Sequence, residues 1–162
     1  MVQTQLSFNV PEAEPTSWEA ATAAWERAEL YWLTTVRASG QPNVSPLIGL
    51  FHEGAFYFCT GDSEQKYRNL ELNPQVAVTT GANSLRSGLD LVIEGSAVVV
   101  AGEDKLRRLA ELFEHKYTSE WHFDVADGAF KGEGGRAPVF EVVPAKAFAF
   151  AKDTYGQTRF TF

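Results

Sequence analysis

The segment from Tyr57 to Pro74, YFCTGDSEQKYRNLELNP, constrains the fold of this chain more than any other. An aromatic strand ends at Thr60-Gly61, a basic helix begins at once, and Lys66 follows about one turn into it. The helix stops at Asn73-Pro74, because proline lacks the amide donor and clashes with the preceding turn. The first backbone N–H groups of a helix have no partner within it and lie at the positive end of its dipole, so they attract phosphate. The segment therefore predicts an anion site at a strand-to-helix junction.

The same residues also fit a plain capped helix on the protein surface. Asp62 or Ser63 can serve as the N-cap, with Glu64 or Gln65 in the reciprocal position. A strand, a glycine turn and a basic helix start are often structural only, so the segment by itself leaves both interpretations open.

Net charge narrows the range of partners. The chain has 14 Lys and Arg against 21 Asp and Glu, a formal net charge of -7, and its sequence pI is about 5.0. An acidic protein of this kind is not expected to bind nucleic acid in general. A phosphate site must therefore be a local cluster of cations and backbone amides, and Lys66 with Arg68 forms the densest candidate.

Length and composition predict one globular domain over residues 1–162. The chain is 44% hydrophobic and 13% aromatic, enough for a ring-rich core without disulfides or a structural metal. Cys59 is the one cysteine and is expected to be a small buried hydrophobe, and the three histidines lack the spacing of metal ligands, so no metal site is expected. The first residues, MVQTQLSFNVPEAEP, contain no positive n-region and no apolar h-region, and no later run reaches the roughly 18 apolar residues of a membrane span. We expect a cytoplasmic protein with no membrane partner.

Hydrophobic periodicity outlines a series of short strands and three helices. A capping box at residues 16–19 starts an N-terminal helix over about residues 16–29. The predicted strands, of which the first three form a meander, are 31–36, 44–51, 55–60, 75–80, 89–101, 139–143 and 146–151. The Lys66 helix follows the third strand, and another helix runs from about 102 to 117. Residues 118–136 are predicted to be a long glycine-rich loop, which at this length is often functional.

About seven strands and a few helices around one core indicate a mainly β, α+β fold. We expect an antiparallel barrel-like sheet with helices at its ends, because closure removes exposed sheet edges. Small barrels host many unrelated sites, so this outline does not name a function.

Four short motifs occur together in the chain: the extended strand before Thr60-Gly61, the helix Lys66-x-Arg68-Asn69-Leu70, the Asn73-Pro74 stop and the closing Thr158-Arg159-Phe160. In these motifs the chain resembles the pyridoxamine 5′-phosphate oxidase-like flavin and deazaflavin oxidoreductases, which have a split β-barrel fold. The similarity extends from YWLTTVRASGQPNVSPL through LDLVIEGSAVVV to VFEVVPAKAFAFAKDTYGQTRF, nearly the whole chain.

The resemblance implies a homodimer that holds two cofactors in grooves between its subunits. Two groups of positions are implied to contact each cofactor. The backbone groups that lie against its tricyclic ring belong to Val44, Ser45, Pro46 and Leu47. The residues implied at its phosphate are Thr60, Gln65 and Lys66, with Arg68 in the same helix. Arg159 falls where a chain end approaches the cofactor, from its own or from the partner subunit.

The chain departs from the resemblance in two places. Many relatives carry an arginine immediately before the phosphate-binding lysine or two residues before it, where this chain has Gln65 and Glu64. A carboxylate at Glu64 would repel a phosphate unless it turns outward or pairs with Arg68, and a lost charge-assisted contact costs about 1.5–3 kcal/mol. Arg86 is a candidate to compensate. The chain also ends in TRFTF, where the oxidase itself has a substrate-binding Arg-Leu-x-Pro, so vitamin B6 oxidation is not expected.

The implied chemistry is hydride transfer between the cofactor ring and a small organic substrate. The protein supplies binding, orientation and electrostatics for such a cofactor. His122, between Trp121 and Phe123, is the candidate proton donor to the substrate, and the alternative is a plain loop histidine beside packing aromatics.

FMN and coenzyme F420 are the two candidate cofactors. The polyglutamate tail of F420 favours an extended cationic groove, so the net charge of -7 places FMN slightly ahead. The Lys-x-Arg-Asn-Leu and Thr-Arg-aromatic motifs, however, are similar to an actinobacterial branch that includes deazaflavin users. Two further functions stay open: a carrier or sensor of flavin, F420 or haem without turnover, and a plain dimeric scaffold.

Overall fold

The structure is a computed structural model that describes residues 2–8, 13–132 and 134–162. Its elements in chain order are β1 (Gln3–Phe8), α1 (Trp18–Arg27), β2 (Tyr31–Val36), β3 (Pro42–Leu47), β4 (Leu50–His52), β5 (Ala55–Cys59), α2 (Gln65–Leu72), β6 (Gln75–Thr80), β7 (Leu89–Val99), α3 (Glu103–Tyr117), a 3₁₀ helix (Ser119–Trp121), β8 (Asp124–Ala126), β9 (Ala129–Gly132), β10 (Gly135–Ala137), β11 (Val139–Ala151) and β12 (Gly156–Thr161). No helix in the described ranges is both long enough and apolar enough to cross a membrane.

A large antiparallel sheet dominates the fold, in the strand order β1-β12-β11-β7-β6-β2-β3. Strand β5 pairs with β11 and with β4, which brings the described sheet to nine strands. A second, three-stranded sheet has the order β10-β9-β8. The expected mainly β split barrel with helices is confirmed.

The split lies in β11, whose two halves have different neighbours along one edge. Residues Val139–Val142 pair with β5, and Lys146–Ala151 pair with β12, while β7 follows the other edge nearly throughout. The register shifts between Pro144 and Lys146. Proline has no backbone N–H to donate, so a bulge at Pro144 is where the ladder can be interrupted.

Two apolar clusters form the core. The first fills the space between α1 and the main sheet with closely packed rings, including Trp25, Tyr31, Phe56 and Phe160. The second joins α3 to the small sheet through Phe113 and Phe130, whose rings meet edge to face at 5.8 Å. Helix α1 is shorter than the predicted 16–29, and its N-cap is Ser17, whose hydroxyl accepts a hydrogen bond from the amide of Ala20 at 3.1 Å.

Three parts of the sequence-based outline are wrong. The predicted strand 44–51 is two strands, because the chain turns at Ile48-Gly49 and β4 pairs with β5 instead of continuing from β3. The predicted strands 139–143 and 146–151 are one bulged strand, β11. The predicted loop 118–136 is a 3₁₀ helix followed by the small sheet β8–β10, with Glu133 outside the described residues. Strand β1 and the closing strand β12 add to the seven predicted strands.

Candidate functional site

The strand-to-helix junction is tightly turned. Thr60 is 2% exposed, and its amide donates to the carbonyl of Pro138 at 3.2 Å, which ties the end of β5 to the start of β11. A turn closes from the amide of Glu64 to the carbonyl of Gly61 at 3.1 Å, and α2 then starts at Gln65. The predicted N-caps Asp62 and Ser63 are wrong, because Glu64 occupies that position and its side chain makes no capping hydrogen bond to the helix.

The carboxylate of Glu64 instead reaches back across the turn. Its Oε1 accepts hydrogen bonds from the amide of Gly61 at 2.9 Å and from the hydroxyl of Thr60 at 3.1 Å, and its Oε2 pairs with the ammonium of Lys66. Burial alone would raise the pKa of Glu64, but the hydrogen bonds from Lys66, Gly61 and Thr60 outweigh burial and lower it. Glu64 is therefore ionised at neutral pH and held by three donors.

A buried amide positions α2 against the sheet. Asn69 is 1% exposed, and its Nδ2 donates to the hydroxyl of Thr35 on β2 at 2.8 Å and lies 3.4 Å from Oδ1 of Asn43 on β3. The side-chain Nε2 of Gln65 in turn donates to Oδ1 of Asn69 at 2.8 Å. Buried polar groups need such partners, so this network sets where the helix starts relative to β3. Asn69 was identified from the sequence only as part of the Lys-x-Arg-Asn-Leu motif, and its structural role was not predicted.

A cleft of about 730 Å³ opens beside the junction. Its apolar wall comes from the end of β3 and from the segment after α3, and its polar wall comes from the junction. The lining residues that matter here are Pro46, Leu47, Ile48, Thr60, Gly61, Glu64, Lys66, Trp121, His122 and Phe123. The cleft thus unites positions as far apart in the chain as Pro46 and Ala137.

The predicted site residues fall into two groups. The cleft brings together the ring-binding and phosphate-binding positions Pro46, Leu47, Thr60 and Lys66, together with His122. The others do not line it: Val44, Ser45, Gln65, Arg68 and Arg159. Gln65 is turned along the helix toward Asn69, and Arg68 is exposed.

Besides Lys66, the cation that forms an ion pair at the turn in the described residues is Arg136, and no such pair involves the suggested Arg86. Nη1 of Arg136 on β10 lies 3.8 Å from Oδ2 of Asp62. Arg136 belongs to the segment predicted as a loop, so only the folding of β8–β10 brings it here.

Strand β3 forms one edge of the main sheet. Along an edge strand, alternate peptide groups point away from the neighbouring strand and lack a ladder partner. Within the described residues β3 pairs with β2 only, so alternate residues among Val44 to Leu47 present backbone groups away from the sheet, and Pro46 can offer a carbonyl oxygen but no N–H.

His122 lies at the mouth of the cleft between two carboxylates. Its Nδ1 is 2.8 Å from Oε2 of Glu114, and its Nε2 is 3.6 Å from Oδ1 of Asp124. The hydrogen bond to Glu114, and then the charge of that carboxylate, raise the pKa of His122. An imidazolium favoured in this way can deliver a proton to a group bound in the cleft.

The Cys59 thiol and the potential metal ligands of the described residues add no further reactive group to the cleft. Burial raises the pKa of the Cys59 thiol to about 11, even with Lys66 nearby, so Cys59 is not a nucleophile at neutral pH. No group of three or more His, Cys, Asp and Glu suited to a metal ion occurs within residues 2–8, 13–132 and 134–162.

The backbone at the back of the cleft is strained. Thr118 follows α3 with φ 69° and ψ 177°, a region that is ordinarily reserved for glycine and costs about 1–3 kcal/mol. The residues that follow, Ser119 to Phe123, all line the cleft. The turn at Thr118 therefore directs this wall toward the junction.

A family model described as pyridoxamine 5′-phosphate oxidase matches residues 17–150, most of the chain. The chain belongs to this family. The match spans the β3 edge, the junction, α2 and most of β11, which are the elements that build and support the cleft. No curated protein matches the chain.

Solved structures with the same fold have different described functions. A FAD-binding protein of Mesorhizobium loti aligns over 100% of this chain and 98% of its own at 16% identity, with a TM-score of 0.63. A haem storage protein of Vibrio cholerae aligns over 83% and 92% at 23% identity, with a TM-score of 0.63. An F420 reductase aligns over 77% and 93% at 21% identity, with a TM-score of 0.57. At these identities the three structures share the fold of this chain, and their descriptions name different bound molecules.

Proposed function

We propose that the protein is an oxidoreductase that uses a flavin or deazaflavin to transfer hydride to or from a small organic substrate. The observation that carries this proposal is the cleft, which joins the apolar end of β3 to the donors of the junction. FMN remains slightly ahead of F420 among the cofactors. Family members described as binding FAD and as an F420 reductase support this class of ligand.

The donor set of the cleft fits an anion attached to a flat apolar ring. The amide of Gly61, the hydroxyl of Thr60 and the ammonium of Lys66 already converge on a carboxylate, and a phosphate would use the same donor types. Pro46, Leu47 and Ile48 offer an apolar strand end for the ring. When bound, such a cofactor supplies hydride chemistry that side chains cannot perform.

The residues of the chain would then bind and orient the cofactor and the substrate, and would supply a proton to the substrate. Trp121 and Phe123 exclude water from one side of the cleft, and their ring centroids lie 6.5 Å apart. His122, held by Glu114, is the group that would provide a proton to the substrate.

A homodimer is part of the proposal. The outer face of the main sheet carries exposed apolar side chains, with Trp32 45% and Val44 54% exposed, and a shallow depression of about 970 Å³ lies beside Trp32, Phe150 and Lys152. An apolar sheet face of this kind favours association with a second copy. The face meets the cleft at Pro46, the cross-strand partner of Trp32.

The position of Arg159 gives a further reason for a second subunit. One row of cross-strand partners runs over the outer face as Pro46, Trp32, Thr79, Val92, Phe148 and Arg159. Pro46 and Arg159 are therefore five strand spacings apart, roughly 24 Å along the sheet at about 4.8 Å each. Arg159 can approach a cofactor most readily in the cleft of the partner.

The second candidate is a carrier or sensor that binds flavin, F420 or haem without turnover. The carboxylate of Glu64 favours this second candidate, because it already accepts the hydrogen bond from Gly61 that a phosphate would need. The haem storage protein of the same fold supports the same alternative.

Parallel titration with FMN and F420 tests the proposal through quenching of cofactor fluorescence. Lys66→Ala is expected to weaken the preferred cofactor by about 2 kcal/mol through loss of a charge-assisted contact. Arg68→Ala removes the same charge from the same helix outside the cleft and is the matched control. Reduction of the bound cofactor by a nicotinamide or deazaflavin donor, followed by electron delivery to a test acceptor, supports the enzyme. Binding without electron transfer supports the carrier, and binding of neither cofactor overturns the proposal.

A further inference from the structure

We use the term anion seat for the group of donors formed by the Gly61 amide, the Thr60 hydroxyl and the Lys66 ammonium. The proposed function assigns this seat to a phosphate, but Glu64 occupies it in the structure. Its two oxygens take the hydrogen bonds of Gly61 and Thr60, at 2.9 and 3.1 Å, and the ion pair of Lys66. These are the donors at the turn that a bound anion would need. The seat can hold one anion at a time, because two negative groups about 4 Å apart repel each other strongly.

The Glu64 carboxylate can leave the seat at little cost in stability. The Glu64 side chain is 47% exposed, so it can turn into water without opening the core. An ion pair exposed to this extent contributes little to folding. Lys66, by contrast, is 12% exposed and stays at the cleft wall.

Two carboxylates near the seat are already paired with basic side chains. Asp62 pairs with Arg136 at 3.8 Å, and His122 pairs with Glu114 at 2.8 Å. Glu120 lines the same cleft and adds a further negative charge to it. Glu64 is thus the group whose removal changes the seat itself.

We infer that Glu64 is a specificity-determining residue, which occupies the anion seat of the free protein and selects against ligands that place a phosphate there. A phosphorylated ligand must displace the carboxylate, and its apparent affinity falls by the fraction of molecules in which the seat is open. A ligand with the same ring and no phosphate loses nothing. This inference rests on the proposed function, because it concerns the same cleft.

The test compares FMN with riboflavin, which has the same ring and lacks the phosphate. Glu64→Ala empties the seat, and Glu64→Gln removes the charge while keeping the shape. Glu71→Ala removes one carboxylate from an exposed position on the same helix and controls for net charge. We expect Glu64→Ala to tighten FMN about tenfold, with riboflavin unchanged and with no effect of Glu71→Ala. Equal changes for both ligands, or an unchanged FMN affinity, overturn the inference.

Inorganic phosphate gives a readout that does not depend on flavin binding. In a titration followed by the ¹H–¹⁵N resonance of Gly61, Glu64→Ala should saturate at a lower phosphate concentration than the wild type. If no flavin binds to any variant, the proposed function fails while this titration still decides the role of Glu64. A Gly61 resonance that responds equally in wild type and variant overturns the inference even when flavin binds.

Discussion

The hydroxyl of Tyr117 lies 3.1 Å from the amide nitrogen of Gly49 and 2.9 Å from its carbonyl oxygen. Tyr117 is the last residue of α3, and Gly49 lies in the break between β3 and β4. The helix therefore holds the chain at the point where it leaves the edge strand and enters the next hairpin. This contact fixes the direction of Pro46 to Ile48, which line the cleft.

Removal of that hydroxyl should destabilise the fold. Tyr117→Phe leaves the part-buried amide of Gly49 without its partner, and we expect a loss of about 1 kcal/mol in the free energy of unfolding, measured by urea denaturation. Tyr155→Phe removes a hydroxyl from an exposed turn and should change stability by less than about 0.5 kcal/mol. Equal effects of the two substitutions would contradict the role of Tyr117.

Gly49 should tolerate no side chain. A Cβ at this position would overlap Cζ of Phe56, which is fully buried and cannot withdraw. Gly49→Ala is therefore expected to cost about 1–3 kcal/mol through overpacking. Gly134→Ala, where a Cβ would meet open space, should be neutral or slightly stabilising in the same denaturation experiment.

Lys116 should make stability depend on pH. Burial lowers its pKa to about 8 from an ordinary 10.5, although Glu26 and Glu29 act in the opposite direction. Between about pH 8 and 10 the unfolded chain therefore binds a proton that the folded protein has lost, and the Lys116 contribution to stability rises with pH.

The pH dependence of stability must be compared between the wild type and Lys116→Met, because ionisation of Cys59 changes stability in the opposite direction as the pH rises. Its thiol pKa rises to about 11 on folding, so its contribution falls as pH increases above about 9, and Tyr31 adds to this because burial raises its pKa too. Wild type should gain stability relative to Lys116→Met between pH 7.5 and 9.5 in urea melts. A stability difference that stays constant over this range would show that Lys116 is not desolvated.

Trp32 should support the proposed dimer. Trp32→Arg places a charge on the exposed outer face of the main sheet and is expected to shift the sedimentation-equilibrium mass from dimer toward monomer. Leu72→Arg makes the same change at an exposed position on α2 and is the control. A wild-type protein that binds cofactor as a stable monomer would refute the dimer.

Arg159 and Lys66 should complement each other between subunits. If Arg159 acts on the cofactor of the partner, a mixed dimer of Lys66→Ala and Arg159→Ala contains one intact site and one doubly defective site. About half of the sites should then bind with wild-type affinity in a fluorescence titration. Mixing Lys66→Ala with Thr60→Ala, two residues of one junction, should restore no sites. Equal results for the two mixtures would place Arg159 in its own cleft or outside any site.

Local sequence signals were sufficient for the fold class and for one wall of the cleft. Alternating apolar residues predicted most strands of the main sheet, and the turn at Thr60-Gly61 predicted the junction, because these signals depend on neighbours within a few residues. The small sheet was not predicted, since β8 to β10 are three or four residues long and are held by Phe113 and Phe130, which are distant in sequence.

The sequence by itself thus determined the antiparallel barrel-like sheet and the junction with Lys66, and its resemblance to a known family implied the split of the barrel and the cofactor-facing end of β3. Tertiary structure alone decided that Glu64 folds back onto Gly61, that Arg136 lies beside the turn, and that Arg159 lies far from Pro46 on the same sheet. The physical reason is the range of the interactions. Periodicity and turn chemistry are local, whereas a side-chain direction and a cross-strand register depend on which distant segments pack together.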